Sequence, residues 1–193
     1  MKKLSLLVLA VLCFGLAANA QEYKPFKVGI GLGYAMTTGD GAKGGVLLYL
    51  EPAYRVSDPL LVGLRLETAA VTRGFSEDVL QSGGTIDVAA IGSFAAFGQY
   101  YFSAGSFRPF VGAGAGLFTL AAVSGSSQGA VVTAVEASNK FGFFPRVGFD
   151  LGHFNMSVDF NLIPSSEVPG QSFDVKNSYL GFRAGFSIGG GKK

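Results

Sequence analysis

The sequence predicts an all-β chain, an eight-stranded antiparallel up-and-down transmembrane β-barrel. Four observations predict it. Beyond residue 20 no apolar run approaches the roughly 20 residues a membrane helix needs. The chain alternates instead, apolar against small or polar, in segments of about ten residues. Within those segments every charge falls on the small or polar face, and the connections between them run short, then long.

Composition narrows the function classes. The 193 residues carry 15 Lys+Arg against 13 Asp+Glu, a formal charge of +2, which is not the basic surface of a nucleic-acid-binding protein. Charged residues make up 15% of the chain, below the roughly 25% of an ordinary soluble domain. One Cys and one His exclude a disulfide framework and any multi-Cys or His-cluster metal centre. No metal or cofactor is expected, and most enzyme classes are disfavoured.

Residues 1–20 read as a signal peptide. Lys2 and Lys3 form a positive start, residues 4–18 are apolar apart from Ser5 and Gly15, and Ala18-Asn19-Ala20 is a small-x-small cleavage pattern. Cleavage is expected before Gln21, which leaves residues 21–193 as the barrel domain; an uncleaved anchor is the alternative. Cys13 lies inside the apolar stretch, so a lipid-bearing Cys after the cleavage point is not available.

Strand one covers 26–37, with Phe26, Val28, Ile30, Leu32, Tyr34 and Met36 on one face and Lys27, the alternating glycines and Ala35 on the other. Strand two, 46–56, sets Leu48, Leu50, Tyr54 and Val56 against Glu51, Ala53 and Arg55; Ser57-Asp58-Pro59 then turns the chain. Strand three, 60–70, sets Val62, Leu64 and Leu66 against Gly63, Arg65 and Glu67. Strand four, 86–102, is apolar on both faces, with Asp87, Ser93 and Gln99 on one side. Strand five, 108–118, opposes Val111, Ala113, Ala115 and Leu117 to three glycines. Strand six, 140–151, opposes Phe141, Phe143, Val147, Phe149 and Leu151 to Gly142, Arg146, Gly148 and Asp150. Strand seven, 154–163, opposes Met156, Val158 and Phe160 to Asn155, Ser157, Asp159 and Asn161. Strand eight, 178–188, opposes Leu180, Phe182, Phe186 and Ile188 to Gly181, Arg183, Gly185 and Ser187.

The polar face therefore collects Lys27, Glu51, Arg55, Arg65, Glu67, Asp87, Arg108, Lys140, Arg146, Asp150, Asp159 and Arg183. An Arg or Lys facing lipid at the bilayer midplane costs about 2–4 kcal/mol, and glycines beside these side chains leave them room in a narrow lumen. Short connections at 56–60, 103–107 and 151–154 alternate with long ones at 38–45, 70–85, 119–139 and 164–177. That is how outer-membrane barrels are built, and an even strand number puts both termini on the short-turn, periplasmic side. A soluble barrel or β-sandwich is the alternative.

Gln99-Tyr100-Tyr101-Phe102, a short turn, and then Arg108-Pro109-Phe110-Val111-Gly112-Ala113-Gly114-Ala115-Gly116 look like paired central strands of a known family. On these residues, and on the pattern of nearly the whole mature chain, the protein resembles the eight-stranded outer-membrane β-barrels of the OmpA/OmpX-like superfamily. The resemblance implies an outer-membrane location in a Gram-negative envelope, contact with membrane lipid, and assembly by the barrel insertion machinery. Such chains commonly finish on an aromatic residue. Here Phe186 and Ile188 are followed by Gly189-Gly190-Gly191-Lys192-Lys193, a departure in the detail of the insertion signal.

No constellation for catalysis is legible. His153, the sole His, falls in a short turn at the expected periplasmic end, away from the outer leaflet where a lipid hydrolase would need it. The Gly-x-Gly runs at 29–33 and 112–116 have strand periodicity and lack the strand–loop–helix setting of a phosphate site. Asp40 and Asp58 belong to turns. Glu51, Arg55, Arg65, Glu67, Arg146, Asp150, Asp159 and Arg183 remain as a lumen charge network. Antiparallel pairing about Asp58 predicts a Glu51–Arg65 ion pair, with Arg55 within diagonal reach of Glu67 or of Asp150 and Asp159 across the lumen; Asp159–Arg183 is the other close pair expected. Eight strands enclose just enough space for side chains, so a packed plug is expected over a conducting lumen. The expected role is a non-enzymatic barrel with an envelope-structural or surface-loop binding function. A small pore or ligand-transfer barrel is the alternative. The loop at 120–139 is the expected surface for an external ligand.

Overall fold

A computed structural model of the chain describes residues 22–38, 42–73, 86–125, 133–134, 138–167 and 174–192. Residues 1–20, read as the signal peptide, lie outside the described residues. Among those described, eight long strands follow one another: β1 (Phe26–Thr37), β2 (Gly45–Arg55), β3 (Leu60–Arg73), β4 (Ile86–Tyr101), β5 (Phe107–Gly125), β6 (Ser138–Leu151), β7 (Phe154–Asn161) and β8 (Tyr179–Gly189). Each pairs antiparallel with its neighbours in the chain. β1 also pairs with β8, from Lys27 opposite Gly189 to Thr37 opposite Tyr179, so the sheet closes on itself and leaves no edge.

The connections alternate in length as the sequence predicts. At one end Leu60 N–H donates to Ser57 O at 3.0 Å across the first turn, and Gly152-His153 joins β6 to β7 with two residues. Gly152 has φ 60°, a left-handed conformation that two-residue hairpin loops place on glycine. The other end carries the long connections. Three strands run past their expected ends, β3 to Arg73, β5 to Gly125 and β6 back to Ser138. Alternation fades at Ala69-Ala70-Val71 and at Leu120-Ala121-Ala122, where both faces are small or apolar, so periodicity stops reporting the strand. The hydrogen-bonded ladder continues regardless, to Arg73 opposite Asp87 and Ile86 opposite Gly125. Thr133–Ala134, inside the apolar stretch of the expected ligand loop, pairs with Val123 and Ser124; residues 126–132 and 135–137 of that loop lie outside the described residues. β7 is shorter than expected because Leu162 makes only an isolated bridge to Phe143, and Ile163 turns into the interior.

The two faces of the sheet invert the arrangement of a water-soluble protein. Phe26 is 70% exposed and Ile188 72%, while Arg55, Arg65 and Asp159 are at 0%. Every outward position of β1 from Phe26 to Met36 is an exposed large apolar side chain. Such a continuous apolar belt far exceeds the few hundred Å² that monomeric soluble proteins leave exposed, and it is what a lipid-facing barrel requires. At the short-turn end aromatic pairs gird the rim. Phe26–Tyr54, Tyr100–Phe102, Phe107–Phe149 and Phe154–Phe186 have ring centroids 5.2, 5.6, 5.2 and 5.8 Å apart. Aromatic girdles of this kind sit at membrane–water interfaces.

Candidate functional site

The lumen is stacked in three layers, each built from inward positions of the strands. At the loop end Ala35, Leu47, Ala69, Val71, Ile91, Phe118 and Ile163 form an apolar layer, all buried. Below it lies an ionic layer. Arg146 forks onto Glu51, Nη1 to Oε2 at 3.0 Å and Nη2 to Oε1 at 2.5 Å, and its Nε donates to Asp159 Oδ1 at 2.9 Å. Arg65 reaches across from β3, Nη1 to Asp159 Oδ2 at 2.9 Å and Nη2 to Asn161 Oδ1 at 2.8 Å. Arg183 pairs with Asp159 through Nη1 and donates through Nε to Glu67 Oε2 at 2.7 Å. The Tyr179 hydroxyl completes the Glu67 shell at 2.5 Å. Asp159 thus accepts three arginines, and three guanidiniums balance three carboxylates. Phe144 projects between these groups, its ring centroid 3.7 Å from the Arg65 Cζ.

The third layer, at the short-turn end, holds Lys27 paired with Asp150, to which the Tyr101 hydroxyl also donates at 2.9 Å. Arg55 donates through Nη1 to Asp58 O at 2.9 Å and lies 5.1 and 5.0 Å from the ring centroids of Tyr23 and Tyr101. Between the ionic layer and this one the wall encloses a cavity of about 20 Å³, lined by Lys27, Glu51, Gln99, Arg146, Asp150 and Asn155 among others. That is room for about one water molecule.

The structure corrects the expected pairing inside the second hairpin. Leu50 opposite Leu66 and Ala53 opposite Gly63 put Glu51 across from Arg65, as the turn at Asp58 predicts. The side chains do not pair there. Glu51 binds Arg146 on β6, and Arg65 crosses the lumen to β7. In a barrel this narrow a long guanidinium reaches carboxylates on the facing wall, which a hairpin considered alone does not contain. Arg55 donates to the Asp58 carbonyl in the layer that also holds Asp150, one of the carboxylates expected within its reach, while Arg183 takes Glu67. Asp159 and Arg183 do meet. Lys140 donates to Ser165 O at 2.7 Å near the loop end, and the Asp87 side chain lies outside the described ones. Inward-facing Tyr49, Phe97, Phe110, Phe118, Phe144 and Tyr179 were not anticipated as lumen groups. Phe144 shares its phase with Gly142 and Arg146, so strict alternation was the signal that could have found it. His153 is exposed in its turn, its Nδ1 2.8 Å from the Ser187 carbonyl oxygen, which accepts.

A closed ring of eight antiparallel strands, apolar outside and ionic within, matches solved structures at the level of fold. Neisserial surface protein A superposes with a TM-score of 0.55 at 18% identity, over 85% of this chain and 96% of that one. The outer membrane protein OprG of Pseudomonas aeruginosa follows at 0.53 and 16%, over 88% and 98%. The fold is that of the eight-stranded outer-membrane barrels. Ail, the attachment invasion locus protein of Yersinia pestis, shares it too, at 0.50 and 19% over 85% of this chain and 99% of its own. No protein-family model matches the chain, and no characterised protein matches it by sequence.

Proposed function

We propose that the protein is a non-enzymatic barrel of the Gram-negative outer membrane, with both termini in the periplasm, that holds its long connections at the cell surface. Its role on this reading is structural within the envelope, or the binding of an external ligand by those connections. The observation that carries it is the filled lumen. An apolar layer and a charge-balanced ionic layer stand in series, and the space between ionic layers holds about one water. Such a stack favours a packed plug over a conducting lumen, since eight strands enclose little more space than their own side chains fill. The likeness to a neisserial surface protein and to an attachment invasion locus protein supports the surface role. The side-chain chemistry supports a non-enzymatic one, since His153 spends its Nδ1 on a backbone carbonyl and Ser187 Oγ donates to His153 O at 3.1 Å, so the two do not form a nucleophile–base pair.

Planar-bilayer recording tests it. The purified, refolded protein should insert without discrete conductance steps. Reproducible unitary steps would replace this reading with a small pore.

A further inference from the structure

The short-turn mouth contains a second cavity, of about 250 Å³, opening between the turns at 102–106 and 152–153 and the tail after β8. Lys27, Arg108, Asp150, His153 and Lys192 line it, with Tyr23 across its inner side. Arg108 is the unusual member. It is 5% exposed, yet no carboxylate of the described residues lies within ion-pairing distance. The other cations on this wall have such partners, Lys27 in Asp150 and Lys192 in Glu22 at 3.3 Å. Arg108 donates only to backbone carbonyls, Nε to Ser103 O at 3.1 Å and Nη2 to Asp58 O at 2.7 Å. Asp58 O also accepts from Arg55, so two guanidiniums converge on one carbonyl. The Asp58 carboxylate faces elsewhere, taking the backbone N–H groups of Glu22 at 3.0 Å and Tyr23 at 3.3 Å.

Two phenol rings cover the Arg108 guanidinium, with centroids 3.9 Å (Tyr23) and 4.3 Å (Tyr101) from Cζ. A guanidinium has five N–H donors in one plane, and two are engaged here. What is left to it is its in-plane edge, the fork that matches a carboxylate or phosphate bidentately. A buried charge without a counter-charge is costly, and the cavity beside this one is large enough to admit its counter-charge from solution.

We propose that this cavity is a binding site for a small oxyanion, a carboxylate or phosphate group, held by the edge of Arg108. Asp150, which also lines the cavity, is ion-paired to Lys27 and accepts from the Tyr101 hydroxyl through the same oxygen, so Lys27 and Asp150 together carry no net charge beside the site.

The test uses the refolded mature chain in detergent, titrated at constant ionic strength with inorganic phosphate or with acetate and followed by calorimetry. Two variants accompany it. Arg108→Gln removes the fork; Gly191→Trp is chosen to crowd the cavity from its lining, at a position where an added Cβ meets nothing within 4 Å. Saturable binding is expected in the wild type, weakened at least about tenfold in both variants. Tighter binding of phosphate than acetate assigns a phosphate group as the ligand, and the reverse order a carboxylate. Titrations that never saturate in the wild type, or Arg108→Gln binding like the wild type, overturn the site. If Arg108→Gln does not fold, Gly191→Trp decides on the same criterion.

Discussion

Asp159→Ala should be the most damaging single charge deletion in the barrel, moving the urea midpoint of the detergent-folded protein down by the equivalent of about 3–5 kcal/mol. The expectation follows from geometry. Asp159 is fully buried and receives Arg65, Arg146 and Arg183 from three other strands. Without it the ionic layer keeps three guanidiniums against two carboxylates, with Arg65, Arg146, Arg183 and Glu67 all buried. Asp159→Asn preserves shape and removes only the charge, so it should recover little of the loss. Lys24→Ala, at an exposed position before β1, should stay within about 0.5 kcal/mol of wild type. A shift at Asp159 no larger than at Lys24 would mean that the inward phases of β3, β6, β7 and β8 are wrong.

The second large effect concerns space instead of charge. Gly185 on β8 stands opposite Gly31 on β1, and a Cβ at Gly185 would collide with the Ile30 carbonyl oxygen and the Tyr49 hydroxyl. That hydroxyl donates to Asn155 Oδ1 at 2.7 Å, so it is not free to swing aside without losing a bond. Gly185→Val should therefore cost upwards of about 1–3 kcal/mol and reduce the yield of the compact, heat-modifiable form on gels. Gly29→Ala, in the same strand phase, is the control. Its Cβ would meet nothing closer than 3.7 Å, at the Glu51 Cβ, and should be tolerated. Equal refolding yields for the two would show a lumen looser than the contacts of Tyr49 imply.

These two predictions also mark where the sequence is legible. Phases were readable wherever one face is all apolar and the other small or charged, as in β1 and β8, because lipid and lumen impose opposite demands on alternate residues. Even the register of the second hairpin was readable, since Asp58-Pro59 fixes the turn. Partner choice was not. Glu51 and Arg146 are brought together by closure of the ring, a relation between β2 and β6 that no local pattern encodes. Large inward side chains were hidden for a related reason. Tyr49 fits only because Gly31 opposite it on β1 and Gly185 on β8, one strand further round, leave room, so its place depends in part on a glycine far away in the chain. Strand ends failed where Ala and Val populate both faces, as beyond Ala69 in β3 and Leu120 in β5.

The central claim is that the outer face meets lipid while the lumen is filled by its own side chains. Single-cysteine nitroxide scanning of positions 62–67 in lipid vesicles tests both halves at once, and it needs no background removal if Cys13 leaves with the signal peptide. Labels at Val62, Leu64 and Leu66 should be relaxed by oxygen dissolved in the hydrocarbon and shielded from an aqueous nickel chelate. Labels replacing Gly63, Arg65 and Glu67, where they are tolerated, should be shielded from both. Nickel reaching the even positions would contradict the lipid-facing barrel, and nickel reaching the odd ones would contradict the filled lumen.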